Sequence, residues 1–176
     1  MEAFLKAVFN EDQIRSRVRE LGQQISKDYG DSEVHAVGIL DNGFMFLADL
    51  VREMTCPVIC HFSKMDTVDT AVEGHQPLRN ILYGSVGNVK DKHLLLVDVM
   101  IDSGITLDHL AQQLLLKKAK SVKTAVMVDR EDRRRVPLII DYAGFKWSGG
   151  HLAGYGLEKG GLFRNLPYLA EIAPAS

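Results

Sequence analysis

At 176 residues and a formal charge of -2, with 21 Lys and Arg against 23 Asp and Glu, the chain has room for one domain and gives no electrostatic case for nucleic acid or an anionic membrane as a partner. A hydrophobic content of 46% beside 25% charged residues describes a globular core and excludes disordered and fibrous classes. No apolar run approaches the roughly 20 residues of a membrane span, the apolar part of the N-terminus is too short for a signal peptide, and 2 cysteines make no disulfide framework, so a cytoplasmic protein is expected.

Helix and strand patterns alternate along the chain with no linker, repeat or charge block to divide it. Asn10 and Gln13 have the spacing of a capping box. Ile14, Val18, Leu21 and Ile25 then repeat at helical intervals up to a stop near Gly30. Val34 to Leu40 is a short apolar run, as expected for a strand covered on both faces. A turn at Asp41-Asn42-Gly43 leads into a helix carrying Phe46, Leu47, Leu50 and Val51. Pro57 to Phe62 reads as a strand, residues 64–77 as a long loop, and Leu78 to Tyr83 as a returning strand. Leu94 to Val97 is another buried strand, followed by a helix striped by Leu107, Leu110, Leu114 and Leu115. Val122 to Val128 and Leu138 to Tyr142 complete the strands, and the Gly-rich last quarter is expected to cap one end of the sheet. The alternation predicts an α/β fold with a mostly parallel sheet between helices, ligands binding at the carboxyl ends of its strands.

The segment after Leu94 is the most informative. LLLVDVMIDSGITL (94–107) runs from a buried strand through Asp98 into the turn Asp102-Ser103-Gly104-Ile105-Thr106 and on into an amphipathic helix. Gly104 lets the backbone approach a ligand closely. The helix-opening amides, the helix dipole and the hydroxyls of Ser103 and Thr106 make a site suited to a phosphate monoester; an ordinary capped helix has the same local form. The chain has no P-loop and no G-x-G-x-x-G after a strand.

LLLVDVMIDSGITL closely resembles the phosphoribosyl-diphosphate (PRPP) motif of type I phosphoribosyltransferases. GILDNGFMFLADL (38–50), VDREDRRR (128–135), IDYAGF (140–145) and GYGLEKGGLFRNLPY (154–168) narrow the resemblance to the hypoxanthine/guanine branch, over roughly residues 8–170. The resemblance implies the type I phosphoribosyltransferase fold, as a single domain with a core at approximately 30–145 and a hood from the N-terminal segment and approximately 146–176. It implies transfer of a phosphoribosyl group from PRPP to a 6-oxopurine, with Mg2+, giving a nucleoside monophosphate and diphosphate, in a homodimer or homotetramer.

Carried over position by position, Asp102 is implied as the general acid/base beside purine N7. Asp98 matches an acid that binds ribose, and Ser103, Gly104, Ile105 and Thr106 the 5'-phosphate loop. Asn42, Gly43 and Arg164 match the diphosphate side. Arg130, His151 and Leu152 match the base pocket, and Glu158 the magnesium ligand.

Five departures from the pattern stand out. Val99 replaces the second acid of the ribose pair. Asp41 stands where the first loop usually carries Lys, in a loop whose family members have a cis peptide. Thr67-Val68 lacks the tyrosine of the mobile lid. Arg130 replaces a Lys that reads the exocyclic oxygen, and His151 an aromatic residue that stacks on the base. Two further readings therefore stay open: a catalytically weak nucleotide-binding or regulatory protein, and an enzyme with altered base specificity.

Other reactive residues are read as structural. Cys56 and Cys60, with His61 beside them, are expected as buried thiols on one strand face. His35, His75, His93 and His109 show no partner at metal or triad spacing, Arg133-Arg134-Arg135 is read as a solvated turn or subunit contact, and Trp147 as a packing residue with a base-stacking role left open.

Overall fold

The computed structural model describes residues 5–70, 78–83 and 86–172, with backbone alone at 65–70 and 78–83. Its elements are β1 (Leu5–Phe9), α1 (Glu11–Tyr29), β2 (Val34–Leu40), α2 (Phe44–Glu53), β3 (Val58–Thr70), β4 (Leu78–Tyr83), β5 (His93–Ile101), α3 (Ile105–Leu116), β6 (Ser121–Asp129), β7 (Tyr142–Lys146), β8 (Leu152–Ala153) and β9 (Leu169–Ile172). The main sheet has the order β4-β3-β2-β5-β6-β7. Its strands β3, β2, β5, β6 and β7 are parallel and β4 is antiparallel at the edge.

Two apolar layers sandwich the sheet. On one face Ile14, Val18, Leu21 and Ile25 of α1 and Phe46, Leu47 and Leu50 of α2 pack with Leu95, Val97 and Val99 of β5. On the other, Leu107, Leu110 and Leu114 of α3 pack with Val37, Leu94, Leu96 and Val126. The period-2 alternation of β5 thus assigns residues 95, 97 and 99 to one layer and 94 and 96 to the other. Asp98 continues the second row, toward the start of α3. Leu115 falls off that helix's buried stripe and is 51% exposed, against the expectation for it.

The capping box forms as the spacing predicts: the Asn10 side chain accepts from the Gln13 N–H and the Gln13 side chain from the Asn10 N–H, both at 2.9 Å. β1, which no pattern in the sequence announces, joins β9 and β8 in a separate small sheet of order β1-β9-β8. Residues 64–70, expected as loop, continue β3, and Met65 to Thr70 pair with β4; residues 71–77, with His75, lie outside the described residues. The last strand of the main sheet begins at Tyr142 and not at Leu138, because residues 138–141 run along the side of α3's layer, where Leu138 and Ile140 pack. Among the described residues no helix is long and apolar enough to cross a membrane.

Candidate active site

The carboxyl ends of β2, β5 and β6 and the turns that follow them gather most of the residues singled out in the sequence. After β5, Gly104 takes φ 77° and caps α3; this left-handed geometry suits glycine and turns the chain sharply from strand to helix. Asp98, Asp102, Ser103, Gly104 and Thr106 line a cavity of about 200 Å³ beside that turn. The Ile105 side chain is 44% exposed, so its contribution to an anion site is the backbone N–H at the helix start. A larger cavity of about 430 Å³, between α1, α2 and Tyr155, contains none of the expected site residues.

Asp98 is the most perturbed acid of this cavity. Burial pushes its carboxyl up to about 7, against hydrogen bonds from the N–H groups of Val99 and Met100 that favour the ionised form. The Val99 N–H donates to Asp98 Oδ1 at 2.7 Å. Val99 itself turns the other way and is fully buried in the layer that holds Leu152, Tyr155 and Leu157.

After β6, Arg130 is fully buried, an unusual place for a guanidinium. Its Nη2 donates to the Gly149 carbonyl at 2.5 Å, and its Nε lies 3.5 Å from Asp102 Oδ1. Among the described residues Nε and Nη1 are buried without a hydrogen-bond partner. Two donors left without a short hydrogen bond by the described residues, beside an acid at the carboxyl end of a strand, suit an acceptor from outside the protein. His151 is exposed, while the Leu152 side chain is 4% exposed and belongs to the core. Trp147 packs edge-on against Phe9 with centroids 6.1 Å apart, and its ring N–H donates to the Gly150 carbonyl at 3.0 Å.

After β2, Gly43 is wedged between strand ends: a Cβ there would lie 2.7 Å from the Ile39 carbonyl oxygen and 2.8 Å from that of Val97. The Leu40-Asp41 peptide is cis. Asn42 meets the C-terminal loop, where Arg164 Nη1 donates both to Asn42 Oδ1 and to the Gly156 carbonyl, each at 2.6 Å. Gly156, at φ 98°, is required by this closure, since a Cβ would come within 2.2 Å of the Asn42 carbonyl oxygen. Glu158 is exposed on the same loop and one carboxylate oxygen accepts from the Gly161 N–H. Among the described residues no group of three or more His, Cys, Asp or Glu is arranged to hold a metal.

Several residues behave otherwise than the sequence suggests. Asp41 is not the only charge at its loop: Lys64, level with Leu40 in the parallel register, brings Nζ to 3.4 Å from the Asp41 carboxylate. That register is a long-range fact which spacing cannot reveal. Cys56 is buried before β3 begins, whereas Cys60 is exposed, so the two thiols do not share a buried strand face. His35, which shows no partner at metal or triad spacing in the sequence, shares a 2.8 Å contact between its Nδ1 and His61 Nε2, and its Nε2 meets both Glu33 at 2.9 Å and Lys92 Nζ at 3.0 Å. This cluster lies at the amino ends of the strands, away from the site. Arg134, read with its neighbours as a solvated turn or subunit contact, has a side chain only 13% exposed and an ion pair with Asp129.

Residues 5–158 match the family model of the phosphoribosyl transferase domain. A hypoxanthine-guanine phosphoribosyltransferase of Aquifex aeolicus is 35% identical over 95% of this chain and 95% of its own. The enzyme of that name from Bacillus subtilis is 30% identical over 97% of this chain and 94% of its own. The crystal structure of a hypoxanthine-guanine phosphoribosyltransferase from Bacillus anthracis matches this fold with a TM-score of 0.83 at 29% identity, covering 98% of this chain and 100% of that one.

Proposed function

Because the chain belongs to the phosphoribosyl transferase domain family, we propose that it is a purine phosphoribosyltransferase, moving the 5-phosphoribosyl group of PRPP onto a 6-oxopurine, hypoxanthine or guanine. The products are the nucleoside monophosphate and diphosphate. The observation that carries the assignment is the pairing of an anion-suited strand-to-helix turn, residues 102–106, with a buried Arg130 whose unpaired N–H groups call for an acceptor such as a 6-oxo oxygen.

In this reading the N–H groups of Ser103 to Thr106 hold the 5'-phosphate at the positive end of α3. Asp98 accepts from a ribose hydroxyl, an interaction that favours its ionised form and opposes the effect of burial. Arg130 donates to the exocyclic oxygen; a 6-amino group would set donor against donor there. Asp102, held beside Arg130 Nε and 46% exposed at its side chain, takes the proton at N7 as the base nitrogen bonds to C1. His151 stacks on the purine, and Leu152, whose side chain is committed to the core, offers backbone groups to it. Asn42, Gly43 and Arg164 receive the leaving diphosphate; Arg164 supplies the fork-shaped cation.

A lone exposed carboxylate, Glu158, suits Mg2+, which binds through few protein ligands and keeps waters and substrate oxygens. When bound, the ion supplies neutralisation of charge on the diphosphate. The chain is read as a cytoplasmic homodimer or homotetramer in which the sheet of β1, β9 and β8 serves as the hood.

The test is diphosphate release from PRPP with hypoxanthine, guanine, xanthine and adenine, with and without magnesium. Turnover with the 6-oxopurines alone is expected, and absence of turnover with all four bases overturns the assignment. Val99, a buried apolar residue where the family pattern carries a second ribose acid, favours a second reading as a weak enzyme that chiefly binds nucleotides. Tight monophosphate binding without turnover would select it.

A further inference from the structure

Three consecutive arginines, Arg133, Arg134 and Arg135, follow the base-side Arg130, and the fold treats the middle one differently. Arg133 and Arg135 are exposed. Arg134 folds inward: Nη2 pairs with Asp129, and Nη1 donates to the Leu138 carbonyl at 3.1 Å. Its stem lies over the turn after β5, where a Cβ on Gly104 would come to 2.9 Å from Arg134 Cδ and 3.4 Å from its Nε. Among the described residues that Nε is buried without a hydrogen-bond partner. Two backbone bonds clamp the same stretches together, from the Arg130 N–H to the Ile101 carbonyl at 3.1 Å and from the Arg135 N–H to the Ser103 carbonyl at 2.9 Å.

We propose that Arg134, anchored by Asp129, is a positioning residue that holds the 102–106 turn in its anion-receiving shape and in register with Arg130. The absence of a side chain at Gly104 leaves a space that the Arg134 stem fills, so the left-handed turn is backed by a packed surface. Asp129 ends β6 immediately before Arg130, and its ion pair closes the intervening 3₁₀ turn onto that packed stem. Arg134 therefore links the two halves of the site without being required to touch a ligand. A guanidinium is suited to this because it is planar and makes several hydrogen bonds at fixed angles, which an ammonium cannot reproduce. Small displacements of a positioned anion site are costly, of the order of a hundredfold for about 1 Å.

The proposal rests on the reading of 102–106 as the phosphate site, and the test separates the two. Binding of guanosine monophosphate and of guanosine is measured by calorimetry on the wild-type chain, Arg134→Met, Arg134→Lys and Asp129→Asn, each with a thermal melt. Arg134→Met keeps most of the stem but removes the charge and the fork. It should lose about ten- to a hundredfold in monophosphate affinity, with guanosine affinity changed far less and KM for PRPP raised more than kcat is lowered. Arg134→Lys should fail to rescue, and Asp129→Asn should move in the same direction by a smaller factor. If Arg134→Met does not fold, the Lys and Asn variants decide by the same ratio. Equal loss for the monophosphate and the nucleoside, or no loss, overturns the positioning role alone. A wild-type chain that binds guanosine monophosphate no better than guanosine overturns the phosphate site and the proposal with it.

Discussion

Arg164 reaches across 122 residues of sequence to donate to Asn42 Oδ1 at 2.6 Å, joining the turn after β2 to the loop between β8 and β9. The same Nη1 holds the Gly156 carbonyl at 2.6 Å, so the guanidinium organises the loop as well as offering charge. Arg164→Lys keeps the charge and loses the fork. It should raise KM for PRPP about tenfold or more, in line with roughly 1.5–3 kcal/mol for charged hydrogen bonds. Steady-state kinetics at saturating base checks this; an unchanged KM would remove Arg164 from the diphosphate side.

Asp98 gives a pH signature. Its carboxyl stands at about 7 in the folded chain against an ordinary 3.8, so the folded form holds the proton more tightly than the unfolded one. The sign follows: stability is fully present at low pH and declines as pH rises from about 4 to about 7, by at most roughly 4 kcal/mol. Asp98→Asn should abolish this decline, melting higher than the wild type near pH 8 and close to it near pH 4. Nucleotide affinity should move oppositely in the wild type, increasing as Asp98 ionises. Melts and titrations across that range check both, and parallel melting curves for the two proteins would count against the buried-acid account.

Arg130 should be costly to the free protein and decisive for the ligand. Its buried, under-satisfied guanidinium is the arrangement for which an apolar replacement is often neutral or stabilising. Arg130→Met is therefore expected to melt no lower than the wild type. It should also erase discrimination between 6-oxo and 6-amino purines, by about a hundredfold or more in the ratio of kcat/KM values. A variant that keeps its preference for hypoxanthine over adenine would place base selection elsewhere.

Restoring an acid at position 99 should fail. Val99 has no exposed surface and packs beneath Leu152, Tyr155 and Leu157, so Val99→Asp puts a carboxylate into an apolar layer. A loss of about 3 kcal/mol or more of stability, without gain of activity, is expected from denaturant unfolding. Gain of turnover in a stably folded variant would show that this face opens toward the ribose.

The sheet, its helices and the turn at 102–106 were legible because each rests on local signals: apolar periodicity, the capping box at Asn10, and a strand-Asp-Ser-Gly-x-Thr-helix sequence. What escaped depends on partners far apart in the chain. β1 becomes a strand because β9 is there to receive it. Residues 65–70, which lack a clear period, become strand because β4 is there to pair with them antiparallel. Lys64 and Arg134 acquire their places from register and packing, with Asp41 and Gly104 respectively, and a charged residue in sequence carries no mark of being drawn inward. Val99 was legible as a missing acid but not as a core residue, because the packing of Leu152, Tyr155 and Leu157 into the same layer is a tertiary fact.

The small sheet has a consequence for the order in which the molecule comes together. β1 has β9 as its neighbour, with Leu5 opposite Ile172, whereas α1, β2, α2, β5 and α3 pack among themselves. During synthesis the parallel layers can begin to assemble while the first strand still waits for the last to leave the ribosome. The loop bearing Gly156, Glu158 and Arg164 lies between β8 and β9; Arg164 ties it to Asn42, and the late β8–β9 pairing closes its far end. A chain stalled before residue 169 would therefore carry the 102–106 turn of α3 and lack the strand that closes both the small sheet and that loop.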